Sequence, residues 1–209
     1  SITDYAVSAV IKRLVDIVAA SLGLVLFSPL FLILAVLITL DSSGPVLFRQ
    51  ERIGRGFIPF YIYKFRTMAV GRANEGLCIT SRNDPRVTRV GRWLRATKLD
   101  EFPQLLNVLV GDMSLVGPRP EVRHYVELFR SEYERLLSIR PGMTDLASLK
   151  YRDEGDVLAQ AEDPEAEYVT RILPDKIELG NLYLQRASLL FDLSLILNTL
   201  LRLVLPVKK

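Results

Sequence analysis

Apolar residues run without a charge from Ile17 to Leu40, and Ser28-Pro29 stands at the middle of that run. As one α-helix the stretch would be about 36 Å long, enough to cross a bilayer. Proline removes a backbone donor, clashes with the preceding turn and biases Ser28 away from helical geometry. Each half is then about 18 Å long, the depth of one leaflet. Lys12 and Arg13 precede the run and Arg49, Arg52 and Arg55 follow it, so the positive-inside tendency assigns both ends to the cytoplasmic side. The segment by itself admits two readings: a kinked spanning helix, or a re-entrant helix-break-helix that enters and leaves on one side. A cleavable signal peptide does not fit, because the run exceeds an h-region and Asp41-Ser42-Ser43-Gly44 offers no small-x-small site.

The pattern changes after Asp41-Ser42-Ser43-Gly44-Pro45, a turn. Residues 45–52 and 59–66 predict short strands, the second rich in β-branched and aromatic side chains, with Gly54 and Gly56 between them. Residues 71–89 read as loop, turning at Asn83-Asp84-Pro85. Thr97 followed three residues later by Asp100 predicts a helix start; Leu99, Phe102, Leu105, Leu106 and Leu109 supply its apolar face, Pro103 loosens its first turn, and Gly111 ends it. Gly117-Pro118-Arg119-Pro120 is a rigid turn leading into a helix over 121–138, which Pro141-Gly142 closes off. The acidic stretch 153–167 is loop or helix. From Lys176 the chain is helical again, and Gln185, Ser188, Asp192, Thr199 and Arg202 form a narrow polar stripe on its last segment. That pattern suits an interfacial helix or one packed on the anchor, and Lys208-Lys209 suits an anionic lipid surface.

Composition narrows the class. Hydrophobic residues are 49% of 209, yet 24% are charged, and the charges concentrate after Asp41. Mean hydropathy is +0.22. The net charge of +3 fits an anionic lipid surface or a phosphate-bearing substrate, not a nucleic-acid binder. A single cysteine, Cys78, excludes an internal disulfide and agrees with a reducing compartment. A single histidine, His124, excludes a histidine-cluster metal site, which leaves a hard cation on carboxylates.

The densest polar cluster is Arg92, Arg95, Lys98, Asp100 and Glu101. Adjacent acids commonly sit on a solvated helix face. Asp100, however, falls in a first helical turn, where free backbone donors favour an anion, and the nearby arginines are expected to depress its pKa. A persistently ionised carboxylate there suits a divalent cation or nucleophilic attack. Arg119, between Pro118 and Pro120, is either a surface arginine on a turn or a pre-organised phosphate fork. Lys64 and Arg66 are two apart in a predicted strand, on one face, within reach of the same anion. Phosphate-loop, nucleophile-elbow and dinucleotide fingerprints are absent from the sequence. These residues point to a membrane-associated, cation-dependent enzyme acting on a phosphorylated substrate.

Four ordered motifs go further. They are Lys64-Phe65-Arg66-Thr67-Met68, the stretch Leu99-Asp100-Glu101-Phe102-Pro103-Gln104-Leu105-Leu106-Asn107-Val108, then Gly111 through Pro120, and Arg140-Pro141-Gly142-Met143-Thr144. In this order they strongly resemble the bacterial sugar transferases, the monotopic polyprenyl-phosphate phosphoglycosyl transferases. The resemblance covers nearly the whole chain, from about Lys12. It implies an α+β, mostly helical monotopic membrane protein with a short β element and interfacial amphipathic helices. Residues 1–44 would form a re-entrant anchor broken at Ser28-Pro29, and residues 45–209 a catalytic domain on the cytoplasmic face of the bacterial inner membrane.

The activity implied is transfer of a sugar-1-phosphate from a UDP-sugar to a polyprenol (undecaprenyl) phosphate with release of UMP, the first membrane step of glycoconjugate assembly. By the same resemblance Asp100 is the nucleophile of a covalent phospho-sugar intermediate and touches Mg²⁺, Glu101 completes the catalytic pair, and Lys64, Arg95, Arg119 and Arg152 lie at the phosphates. Glu101 need not be a base, since a phosphate monoester is already largely ionised near neutrality. Direct attack without an intermediate, and a non-catalytic scaffold of the same fold, are the alternatives. The joint presence of Asp100, Glu101, Lys64 and Arg119 argues against the scaffold. Two departures, Asp145 in place of a frequent glycine and Leu149 to Glu154 in place of an Asn-Gly-Arg-Asn-like stretch, fall where the sugar or nucleotide would be shaped.

Overall fold

The computed structural model describes residues 2–69 and 84–204. Of the loop expected at 71–89, residues 71–83, with Cys78, lie outside them, as do Lys208-Lys209. Helix α1 (Ile2–Asp41) runs through Pro29 without the break that the sequence suggests. Pro29 has no N–H to give the Val25 carbonyl, and the Ser28 hydroxyl donates to that carbonyl at 2.8 Å. The neighbouring side chain thus replaces the missing backbone bond, which allows the helix to continue.

One face of α1 is docked along almost its whole length. Arg13 donates to the Val108 and Leu109 carbonyls at 2.6 and 3.0 Å, and Asp16 accepts the Leu115 N–H at 3.0 Å. Ala20 packs with Leu105 and Val108, Phe27 meets Phe102 edge-on at 5.0 Å, and Leu34 and Ile38 pack on Phe65 and Leu94. Asp41 finally accepts the Val90 N–H at 2.9 Å. From Arg13 to Asp41 is about 42 Å at the helical rise. The opposite face exposes Leu14, Val18, Leu22, Leu26, Ile33, Val36 and Leu40.

Strands β1 (Leu47–Ile53) and β2 (Pro59–Phe65) form an antiparallel hairpin in which Phe48 opposes Lys64. Arg66, just past β2, is 5% exposed. Its guanidinium donates to the carbonyls of Pro45 (2.7 Å), Ser42 (2.5 Å) and Ile38 (3.3 Å). It therefore closes the C-terminal end of α1, where helix carbonyls lack intrahelical partners.

Helix α2 (Arg89–Thr97) is capped by the Thr88 hydroxyl, which accepts the Gly91 N–H at 2.9 Å. Thr97 is its last residue rather than the start of the next helix. Lys98 then turns left-handed (φ 58°), and Leu99–Gln104 is a 3₁₀ segment carrying Pro103. Helix α3 (Leu105–Val110) ends at Gly111, φ 110°. Strand β3 (Ser114–Val116) later pairs in parallel with β4 (Gly142–Thr144). Beyond the ladder the backbones nearly touch: a Cβ on Gly142 would sit 2.1 Å from the Gly117 nitrogen.

Between these strands, the helix expected over 121–138 is two, α4 (Arg123–Leu128) and α5 (Arg130–Leu136), parted at Phe129. Short helices α6 (Leu146–Lys150), α7 (Glu154–Ala159) and α8 (Pro164–Glu167) follow. A π-helical turn, Tyr168–Ile172, leads into α9 (Leu173–Arg186) and α10 (Leu189–Val204). The largest buried cluster lies among α4, α5, the π turn and α9, with Ile53 of β1. Of the polar stripe expected on the last segment, Asp192 is buried and Thr199 partly so, while Gln185, Ser188 and Arg202 are exposed, as are Leu190, Leu193, Leu197 and Leu201.

Because Arg66 satisfies three carbonyls at once, Arg66→Lys keeps the charge but not the fork. It should lower stability by about 2 kcal/mol and the melting temperature by roughly 4–8 °C, read by thermal unfolding in detergent. An unchanged melting temperature would remove Arg66 from this role.

Candidate active site

Two carboxylates sit side by side on the 3₁₀ segment, and their surroundings differ. Glu101 Oε1 accepts from Lys64 Nζ at 3.1 Å and is ion-paired with Arg119 Nη2. Asp100 is 7% exposed, and its Oδ1 is buried without a hydrogen-bond partner. At three residues per turn, neighbours on a 3₁₀ helix diverge by about 120°. One acid is therefore bound into the wall while the other keeps a free oxygen.

Each cation is presented by a defined piece of backbone. Lys64 comes from β2, on the face that also carries Gln50 and Arg52 of β1. Arg119 is fixed by flanking prolines, by its own N–H donating to Asp145 Oδ2 (3.1 Å), and by Nη1 donating to the Met143 carbonyl (3.4 Å). The close Gly117–Gly142 pass holds this turn: Gly142 N–H donates to Pro118 O at 3.0 Å and Gly117 N–H to Thr144 O at 3.1 Å. Asp145 Oδ1 accepts the Ser148 N–H at 2.6 Å, capping α6. Arg95, on α2, donates to Thr67 Oγ1 at 2.9 Å.

These placements sort the sequence candidates. Lys64, Arg95, Asp100, Glu101 and Arg119 line one cavity of about 1610 Å³. Arg66 borders it, but its terminal nitrogens are spent on the end of α1, so the expectation that it joins Lys64 on one anion is corrected: β2 stops at Phe65 and the side-chain alternation stops with it. Arg152 is on the cavity's rim, donating to the Arg202 carbonyl. Sequence reasoning passed over Asp145 as a partner of Arg119. It also missed Glu121, which is paired with Arg52 at 3.0 Å and accepts from Tyr168 Oη at 2.7 Å. Alternation in β1 from Phe48, opposite Lys64, was the available signal for Gln50 and Arg52.

Electrostatics separates the two acids. Burial raises the Asp100 pKa and Glu101 raises it further, outweighing Lys64, Lys98 and Arg95. This reverses the expectation that arginines hold Asp100 down. Burial alone would also raise Glu101, but Arg119 and Lys64 outweigh it and keep that carboxyl well below its usual range. Lys64 is lowered by burial, partly offset by Glu101. Glu101 is thus a locked anion that positions two cations. It is a poor proton acceptor.

The buried, unpartnered Asp100 oxygen is a hard donor of the kind Mg²⁺ takes. Among the described residues no three metal-ligating side chains cluster. A cation here would draw its remaining ligands from water and substrate phosphates, the usual habit of Mg²⁺.

The family described as bacterial sugar transferase matches this chain over residues 7–206. The chain is 43% identical over 195 residues to a UDP-N-acetylgalactosamine-undecaprenyl-phosphate N-acetylgalactosaminephosphotransferase of Aeromonas hydrophila, covering 92% of this chain and 43% of that protein. To a UDP-glucose:undecaprenyl-phosphate glucose-1-phosphate transferase of Caulobacter vibrioides it is 42% identical over 191 residues, 90% of this chain and 67% of that one. To the exopolysaccharide production protein PSS of Rhizobium leguminosarum it is 40% identical over 198 residues, 91% and 93% of the two chains. The chain spans less than half the length of the Aeromonas protein.

Neutralising Glu101 checks the charge arrangement. In Glu101→Gln, Asp100 loses its anionic neighbour, so the acid limb of the pH–activity profile should move to lower pH. Turnover should fall about a hundredfold as Arg119 and Lys64 lose their shared anchor. An unmoved limb would show that Asp100 is not the group titrating.

Proposed function

The chain belongs to the bacterial sugar transferase family, and we propose that it transfers a sugar-1-phosphate from a UDP-sugar to a polyprenol phosphate, releasing UMP. The observation that carries this reading is Asp100: a buried carboxylate with one unpartnered oxygen, in a cavity ringed by Lys64, Arg95 and Arg119. An Asp100 oxygen attacks the β-phosphorus of the UDP-sugar. The bond from that phosphorus to the bridging oxygen breaks, and UMP leaves with the oxygen. A phosphate oxygen of the lipid then attacks the same phosphorus, breaking the bond to Asp100 and restoring the carboxylate. Two displacements let a soluble donor and a membrane-bound acceptor use one site in turn.

The side chains divide the work. Arg119 and Lys64, held apart by Glu101, face the anionic oxygens of the transferring group, the electrostatic contribution that dominates phosphoryl transfer. Arg95 adds charge on the α2 side. Asp100 would also hold Mg²⁺, which supplies further charge neutralisation when bound. Both substrates are named for the relatives, and those names divide between N-acetylgalactosamine and glucose, so the class assigned here is a UDP-sugar.

The re-entrant topology is part of the proposal. A helix that spanned the bilayer would carry the polar body across with it, because α1 is docked on that body from Arg13 to Asp41. The re-entrant form asks α1, unbroken here, to bend at Ser28-Pro29 within the bilayer; both ends and the site then stay on the cytoplasmic face of the inner membrane. The exposed apolar faces of α1 and α10 support that placement.

Two measurements test this. Enzyme and UDP-sugar without lipid should release about one UMP per site and leave a phospho-sugar on Asp100, seen by intact-protein mass spectrometry after rapid quench. Asp100→Asn should abolish both, and chelator should suppress turnover. UMP that appears only after polyprenol phosphate is added, with no adduct, would favour direct attack. For topology, single cysteines at Thr3 and Ser43 should react alike with an impermeant reagent in oriented membranes; opposite accessibility would mean that α1 spans.

A further inference from the structure

One part of the cavity has no task in the reaction above. Away from Lys64 and Arg119 its wall becomes apolar. On α1 the lining residues are Ala19, Gly23 and Phe27, one stripe at helical spacing; on α10 they are Ile196, Thr199, Leu200 and, at its far end, Arg202, whose guanidinium donates to the Leu149 carbonyl at 2.5 Å. Leu105 and Leu115 line the same cavity. Thr199 adds no free polar group, because its hydroxyl is shared with Thr144 Oγ1 at 2.6 Å and donates to the Leu195 carbonyl at 2.8 Å.

The two helices are pinned at one end of this arm. Lys12 Nζ pairs with Asp192 and donates to the Val116 carbonyl at 3.1 Å. The Tyr183 hydroxyl, on a fully buried side chain, donates to Asp192 Oδ1 at 2.7 Å. From the pin α1 and α10 both run on in chain order past the arm, and their outer faces, Leu22 and Leu26 on one and Leu197 and Leu201 on the other, are exposed and apolar. Ala19 and Gly23 add little bulk to the α1 wall, and Gly23 packs on Leu105: a Cβ there would lie 3.0 Å from Leu105 Cδ1.

We propose that this arm is the acceptor subsite: the proximal isoprene units of the polyprenol phosphate lie between α1 and α10 while its phosphate faces Arg119 and Asp100. The inference rests on the function proposed above. Charge and polarity select the occupant. A single-chain phosphate monoester has one anionic head for the cationic end and one apolar chain for the arm. That chain must run from the buried phosphates to the bilayer, and the apolar lining residues belong to the two helices whose outer faces are exposed and apolar.

The test uses full-length protein in nanodiscs and a polyprenol phosphate carrying a diazirine in its second isoprene unit. Photolysis should label Phe27, Ile196 or Leu200, and unlabelled undecaprenyl phosphate, but not phosphatidylglycerol, should compete. Labelling confined to Leu22, Leu26 or Leu197, or loss of label to phosphatidylglycerol, would overturn the assignment in favour of ordinary bilayer lipid. UMP release measured in parallel separates the two claims, since turnover with label elsewhere sinks only the subsite. Gly23→Leu and, as a second variant on the other wall, Leu200→Trp should lower kcat/KM for undecaprenyl phosphate at least tenfold more than for a two-isoprene acceptor. An equal loss for both acceptors, or no loss, would overturn it.

Discussion

A half-buried carboxylate between two cations holds this site together. Glu101 joins β2, through Lys64, to the Pro-Arg-Pro turn, through Arg119, and Asp145 carries the link on to α6. Removing one member of such a group strands a partly buried charge, which costs more than the net worth of the pair. The four residues alternate in sign, so each neutralises its neighbour. Asp100 lies beside this group and outside it, and its Oδ1 is left buried without a hydrogen-bond partner.

The second constraint is the two-sidedness of α1. Its inner face carries a few polar hooks, Lys12, Arg13, Asp16 and Asp41, each fastened to backbone or a buried partner. Its outer face is uncharged and mostly apolar; the exposed Ser28 and Thr39 give their hydroxyls to helix carbonyls. The hooks make the helix a structural wall of the catalytic body, while the opposite face stays exposed. The same division recurs on α10, whose Asp192 is buried under exposed leucines.

Much of this was legible in the sequence where motif spacing is rigid. The charge-free run and the hairpin follow from residue order and turn chemistry, and the meeting of Lys64, Asp100, Glu101 and Arg119 from the resemblance that the ordered motifs carry. The misreadings share one cause, that burial is invisible in a sequence. Arg66 looked like a partner of Lys64 because alternation was extended one residue past the end of β2. Thr97-x-x-Asp100 satisfied a capping pattern, yet the turn is made by Lys98 in a left-handed conformation that no glycine signals. The direction of the Asp100 shift depended on how deeply the side chain lies, and counting nearby arginines gave the wrong sign. At Pro29, the hydroxyl of Ser28 was already in the sequence, but its geometry decides whether the helix breaks or continues.

The pin between Lys12 and Asp192 bears on how the chain is made. These partners are 180 residues apart, since 192 − 12 = 180. At ribosomal rates of about 5–20 residues per second, the second partner follows the first by roughly 9–36 s. The other hooks of α1 wait less: the partner of Asp41 is 49 residues on, and those of Arg13 and Asp16 are 95 and 99. The contacts of α1 with α3 and β3 can therefore form before α10 exists, and the pin can close only after them. Whatever delayed docking of α1 would delay the last helix as well.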